Sequence, residues 1–219
     1  MRLLLHAITP PETSAAPPVA GLRGLPLACV EEAGLVAWAT ELDEAAAAFT
    51  RDDLLEHHAI VSRIHERAAA CLPARFATWF SRESLAGRAE SLAEALARVR
   101  GRSELSVTAL WLAPASEAPS PPSTSGTEYL LRRRVEIAGS ERRRERATEL
   151  ADAIEKRVGA DLVDSRRRVC PSPSVALSLA LLVPRENAHE LVARLLSLAQ
   201  DVRILVNGPW PPYTFAVVG

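Results

Sequence analysis

Residues 162–183 read LVDSRRRVCPSPSVALSLALLV, two runs rich in β-branched and apolar residues on either side of Pro171-Ser172-Pro173. Proline has no amide hydrogen to give to a ladder, so the Pro-Ser-Pro unit separates two strands, one near Leu162–Val169 and one near Ser174–Val183. Upstream, Thr127–Val158 reads as a long helix with Leu150, Ile154 and Val158 on its buried stripe and a bend or interruption at Gly139-Ser140. Downstream, Glu186–Ala199 is an amphipathic helix through Leu191, Leu195 and Leu198. Strand-like runs flank the whole, LSVTALWLA at 105–113 and Val202–Val206. The order strand, helix, strand, strand, helix, strand is the split βαβ, ferredoxin-like arrangement. The expected class is therefore α+β.

The first hundred residues have another order. Leu3–Ile8 is a short apolar run stopped by Pro10-Pro11, and Leu27–Glu32 and Leu35–Thr40 surround Gly34 as a hairpin. Thr50 with Asp52 and Asp53 opens a helix that presents Leu54, His58, Val61, Ile64 or His65, and Ala68, and Pro73 stops it. LPARFATWF (72–80) reads as extended, and Ser81 caps a second helix with Leu85, Leu92, Leu96 and Val99 buried, ended by Gly101. A different order means a different domain, so the expected division is 1–103, an N-terminal α+β domain, and 104–219, the ferredoxin-like domain. The stretch PASEAPSPPSTSG (114–126), with four prolines and four serines, is then a loop inside the second domain.

Composition excludes several classes of function. A net charge of −1 and a pI near 6.5 give no overall attraction to nucleic acid or an anionic membrane. Three scattered cysteines, Cys29, Cys71 and Cys170, do not make a disulfide framework. The start MRLLLHAITPPE has no signal-like apolar segment, and no run approaches 18 apolar residues, so the expected setting is the cytoplasm, with no membrane partner.

Candidate chemistry is sparse. The histidines are His6, His57, His58, His65 and His189, and three of them fall in LLEHHAIVSRIHERA. His58 and His65 stand about 10 Å apart along a helix, too far to share one zinc, and HExxH and HxxEH are absent. No GxSxG, GxxxxGK[ST] or GxGxxG occurs, and Cys71, between alanine and leucine, reads as a small buried hydrophobe. No catalytic, cofactor-binding or metal residue is assigned, and no enzyme activity or cofactor is expected. The strongest nucleic-acid candidate is YLLRRRVEIAGSERRRERA (129–147), with seven arginines between 132 and 146. Glu136, Glu141 and Glu145 interleave with them, which favours a solvated or partner-facing helix over phosphate binding. A ferredoxin-like module that binds RNA or a small ligand is the alternative reading, on fold analogy.

The stretch GPWPPYTF (208–215) holds three prolines and three aromatic rings. Such a composition is stiff and apolar, and the rings are expected to pack on the protein's own body. Preceded by LLVPRENAHELVARL, it resembles the end of the gas vesicle accessory proteins of the F/L family (GvpF/GvpL). Leu54-x-x-His57-x-x-Ile60-Val61 and Leu72-Pro73-Ala74-Arg75-Phe76-Ala77-Thr78 resemble that family's Leu/His helix and LPxRFGT-like segment, with Ala77 where the pattern has glycine. Glu128–Arg134 and the LVPRE of 182–186 resemble the starts of its long and final helices. The resemblance covers nearly the whole chain. It implies an N-terminal α+β domain, a modified ferredoxin-like second domain and a role in forming gas vesicles. It also implies binding to the small hydrophobic shell protein, with other accessory proteins as further partners, in the cytoplasm and at the vesicle.

Overall fold

The structure, a computed structural model, describes residues 2–13, 20–43, 48–112, 125–198, 202–216 and 218. The proline- and serine-rich stretch 114–126 lies outside them but for its last two residues. The chain forms two units, Met1–Glu104 with Pro209–Gly219, and Leu105–Gly208. The tail expected in the second domain thus belongs with the first unit. Ala216 and Val218 are buried in that unit's core, and Val218 bonds through its backbone to Pro73 and Arg75.

In the first unit, β1 (Arg2–Thr9), β2 (Leu27–Glu32), β3 (Leu35–Leu42), β4 (Leu72–Pro73) and β5 (Trp79–Phe80) make a sheet of order β2-β3-β1-β4, with β5 also on β1. The β2–β3 hairpin closes over Ala33 and Gly34, both at positive φ (51° and 74°), as a two-residue turn requires. Strand β1 carries a bulge, where pairing steps from Leu5–Ala39 to Ala7–Trp38 and leaves out His6. One extra residue reverses the alternation of side chains, so Leu4 and Ala7 share one core while Leu5 and Ile8 share another. Trp38 and Val36 join the first core, and Ala37 and Leu35 the second.

Helix α1 (Arg51–Arg67) covers the Leu4 side. Its start is a capping box in which the Thr50 hydroxyl accepts from the Asp53 amide and the Asp53 carboxylate accepts from the Thr50 amide. The buried face is Asp53, His57, Ile60, Val61, Ile64 and His65, and Leu54 is exposed. The expected face was turned by about one residue because polar side chains, His57 and Asp53, point inward where a hydrophobic count places Leu54 and His58. The helix ends at Arg67, six residues before the expected stop at Pro73.

The other core is covered by α2 (Arg82–Ala86) and α3 (Ala89–Val99), which bury Leu85, Leu92, Leu96 and Val99 as expected. They are two helices, not one. Gly87 and Arg88 part them, with Arg88 at φ −118°, ψ 9°, outside helical geometry.

The second unit contains most of β6 (Arg102–Trp111), then α4 (Gly126–Val158), β7 (Asp164–Ser172), β8 (Val175–Pro184), α5 (Ala188–Leu196) and most of β9 (Val202–Trp210). The sheet order is β7-β8-β6-β9. Strands β7 and β8 are antiparallel from Asp164–Leu182 to Ser172–Val175, with an irregularity at Cys170-Pro171. Leu105, Val107, Leu177, Leu179, Leu181 and Ile204 pack on Ala147, Ala151, Ile154, Val158, Leu191 and Leu195. Helix α4 runs without a break through Gly139-Ser140, correcting the expected interruption. One glycine costs about 1 kcal/mol in a helix interior, which does not stop a helix of 33 residues. Strand β9 continues past Val206 to Trp210, so GPW is strand and the turn begins at Pro211. Helices and sheets together make the chain α+β.

Candidate functional site

The bulge in β1 turns His6 toward α1, where it meets His57. His6 Nδ1 lies 2.9 Å from His57 Nδ1, His57 Nε2 lies 3.1 Å from the Ala74 carbonyl, and His6 Nε2 lies 2.7 Å from Thr40 Oγ1. A carbonyl only accepts, so His57 carries its proton on Nε2 and offers a bare Nδ1. His6 must then donate from Nδ1, which leaves its Nε2 to accept from the Thr40 hydroxyl. The Thr40 oxygen in turn accepts from the Leu22 amide at 2.9 Å. This is one directional chain of neutral groups, with each ring nitrogen satisfied. Burial and then the nearby His57 push His6 down to about 3, and burial lowers His57 as well. Both rings are 2 % exposed or less.

Around this chain the polar side chains are fixed by one another. Arg23 Nε and Nη2 grip the Asp53 carboxylate at 2.8 and 2.9 Å, and this guanidinium, followed by the Thr50 amide, holds Asp53 well below the usual carboxylate range. His65 Nε2 is 3.0 Å from Ser103 Oγ. Sequence spacing could not have found the His6–His57 pair, whose members are 51 positions apart.

The tail forms a second cluster in the same unit. The ring of His58 lies 5.2 Å from that of Trp210 and 5.8 Å from that of Tyr213, and His58 Nδ1 and Tyr213 Oη share a hydrogen bond of 3.2 Å. Burial lowers His58 and raises the Tyr213 phenol. Glu104 latches the turn, accepting from the Thr214 amide at 2.7 Å and the Thr214 hydroxyl at 2.6 Å. Burial raises this carboxyl, against the two donors that lower it.

Thus the histidines of LLEHHAIVSRIHERA are separated: His57 faces His6, His58 faces the tail and His65 faces Ser103, while His189 is exposed. Among the described residues, no three of His, Cys, Asp and Glu gather as metal ligands. Cys71 is fully buried among apolar neighbours. A groove of about 750 Å³ opens beside β1, lined by Arg2, Leu3, Glu41, Trp79, Phe80 and Arg82, with the Arg2 guanidinium 5.1 Å from the Trp79 ring.

The arginine-rich stretch forms the first half of α4, and from 127 to 146 none of its described side chains is buried. Of the arginines in β7, Arg167 is fixed by Asp152 at 2.7 Å and by Glu155. The helix-free face of the second sheet shows Ser106, Thr108 and Leu110, with Arg166 and Arg168 opposite Ala180 and Ser178. Among the described residues this face has no aromatic ring on which a base could stack, and Trp111 lies on the helix side beside Leu150. No described helix is long and apolar enough to cross a membrane.

Comparison with known proteins gives one consistent result. The family model of the gas vesicle synthesis protein GvpL/GvpF matches residues 2–217. Gas vesicle protein L2 of Halobacterium salinarum is 29% identical over 196 residues, covering 74% of this chain and 70% of the relative. The crystal structure of GvpF from Anabaena sp. PCC7120 superposes with a TM-score of 0.79 at 19% identity, covering 100% of this chain and 97% of that one. GvpF from Microcystis aeruginosa gives 0.77 at 18% identity, with 98% of each chain covered. At those identities the two structures speak for the fold.

Proposed function

Because this chain belongs to the GvpL/GvpF family of gas vesicle synthesis proteins, we propose that it acts in gas vesicle formation as a minor structural or assembly protein that binds the hydrophobic shell subunit. The full-length family match carries the reading. What supports a binding role over a catalytic one is the state of the polar groups. The histidine chain is neutral and closed on itself, Asp53 is gripped by Arg23, and Glu104 is occupied by Thr214. We read the second unit as ferredoxin-like from its element order and its β7-β8-β6-β9 sheet. Among the described residues its helix-free face has no stacking ring, which weighs against an RNA-binding module.

A subunit apolar enough to line a gas-filled shell aggregates before it polymerises unless its apolar surface is covered. A protein that holds such subunits in the cytoplasm, or seeds their ordered addition to the vesicle, meets that need without catalytic groups, and other gas vesicle accessory proteins are natural co-partners. The test is deletion of the gene in a vesicle-forming host, together with co-purification of the shell subunit with the tagged protein. Loss of vesicles and recovery of the subunit are expected. Normal vesicles without a paralogue, or no recovered subunit, overturn the reading.

A further inference from the structure

The first half of α4 carries a group of large apolar side chains that the fold leaves uncovered: Tyr129, Leu130, Leu131, Val135 and Ile137, between 45 and 72 % exposed. Among the described residues, the first buried one along the helix is Ala147. Ala147 follows Leu131 by sixteen residues, about four and a half turns, so Leu131, Val135 and Ala138 lie nearly opposite the stripe Ala147, Ala151, Ile154 and Val158 that anchors the helix. The unit's own core therefore cannot reach them. Twenty residues of helix with no buried side chain among those described are marginal in water, and Gly139 weakens them further. An exposed ion pair such as Arg133–Glu136, at 3.3 Å, adds little to a helix in water.

Charge narrows what could cover this surface. From 127 to 146 there are seven arginines and four glutamates, 7 − 4 = +3, in a chain whose total is −1. A second copy would set Arg132, Arg133 and Arg134 against an equally basic helix. An anionic lipid surface would meet Glu136, Glu141 and Glu145 among the arginines, and the apolar residues form two lines, Leu131–Val135 and Leu130–Ile137, instead of one broad face. The complement is a protein segment with an apolar stripe to lie on Leu131 and Val135 and carboxylates at its margins to meet the arginines.

We propose that the first five turns of α4 are the docking surface for an acid-flanked, apolar amphipathic segment of a partner protein. Resting on the function proposed above, that partner is the shell subunit. Docking would order this half-helix by giving it the packed face it lacks.

The test uses the full chain with two variants, Leu131→Glu/Val135→Glu and Arg132→Glu/Arg133→Glu/Arg134→Glu, none at a buried position, with circular dichroism to confirm folding. Two probes are titrated: the shell subunit held soluble by a fusion partner, and a synthetic helical peptide with leucines on one face and glutamates beside them. The proposal expects both variants to weaken binding at least tenfold. It also expects binding to the native chain to fall with salt and amide exchange to slow across 127–146 when the partner is bound. If the shell subunit binds the native chain and both variants equally, the surface is wrong and the function stands. If the shell subunit does not bind but the peptide does, with loss in both variants, the function fails and the surface stands. Binding of neither probe overturns the surface. So does self-association by sedimentation that the first variant abolishes, or binding to phosphatidylglycerol vesicles in place of the peptide.

Discussion

His6 Nδ1 donates to His57 Nδ1 across 2.9 Å, and a carbonyl at the far end of the chain fixes both tautomers. A proton added to His57 Nδ1 leaves two donors facing each other, and one added to His6 Nε2 makes the Thr40 hydroxyl give up its own donation. With both rings buried, the fold holds both histidines neutral. Unfolded histidines take up protons near pH 6.5, whereas folded His6 does so only at about 3. Between those values the unfolded chain binds more protons, and stability must fall as pH falls. The expected slope is up to about 1.4 kcal/mol per pH unit for each histidine. Glu104, raised by burial, acts in the opposite direction just above the ordinary carboxylate range and trims the slope. Urea midpoints at pH 7.5, 6.5 and 5.5 measure it, and a chain with His6→Asn and His57→Gln should lose most of it. Equal midpoints at all three would show that the pair is not held neutral.

Gly21 is there for space. A Cβ on it would stand 2.3 Å from Thr40 Oγ1, the oxygen that serves both His6 and the Leu22 amide. Gly21→Ala is expected to cost about 1–3 kcal/mol by urea unfolding. Since both changes strike the same hydroxyl, Gly21→Ala with Thr40→Ala should cost clearly less than the sum of the two alone. Additive losses would place the strain elsewhere.

Ala77 occupies the third position of the turn Arg75–Thr78 at φ 65°, while Phe76 before it keeps negative φ. A turn of that form favours glycine, because a left-handed backbone strains an L side chain. Ala77→Gly should therefore stabilise the protein by roughly 0.5–1 kcal/mol, the strain relieved less the greater freedom of unfolded glycine. A melting temperature about 1–4 °C higher is the expected reading, and Ala77→Val should lower it. No gain with glycine would mean that the turn relaxes without help.

The latch between Glu104 and Thr214 predicts graded losses. Thr214→Val removes the hydroxyl donor from a buried carboxyl and should cost about 1–3 kcal/mol, with Glu104→Gln milder because an amide oxygen still accepts from the Thr214 amide. Truncation after Asn207 also removes Ala216 and Val218 from the core and should lower the melting temperature most. An unchanged melting temperature after truncation would mean that the tail serves partners alone.

The sequence was most legible where one periodicity ruled a segment. The hairpin around Ala33-Gly34 and the buried Leu92, Leu96 and Val99 were all open to it, as were the two strands β7 and β8, although β7 runs on through Pro171-Ser172 and the turn is Pro173-Ser174. It failed where a polar side chain held a core position. Counting apolar residues turned α1 toward Leu54 because His57 and Asp53 are buried for partners, His6 and Arg23, that lie 51 and 30 positions away. The bulge at His6 was hidden for a related reason: it changes which face each residue of β1 occupies without changing the residues. The destination of the tail could not be read either, since a stiff aromatic segment declares that it docks but not on what.

The first unit is closed by residues 209–218, which follow the whole of the second unit in the chain. A ribosome delivers 105–208 first, and that unit has all its strands and helices once Gly208 has emerged. The unit made earliest must wait, its sheet of five strands lacking Ala216 and Val218 and leaving Leu72 and Ala74 without their last neighbours. In this protein the order of completion during synthesis is therefore the reverse of the order of the amino termini. Any chaperone that guards the nascent chain has the first unit, not the second, as its longer charge.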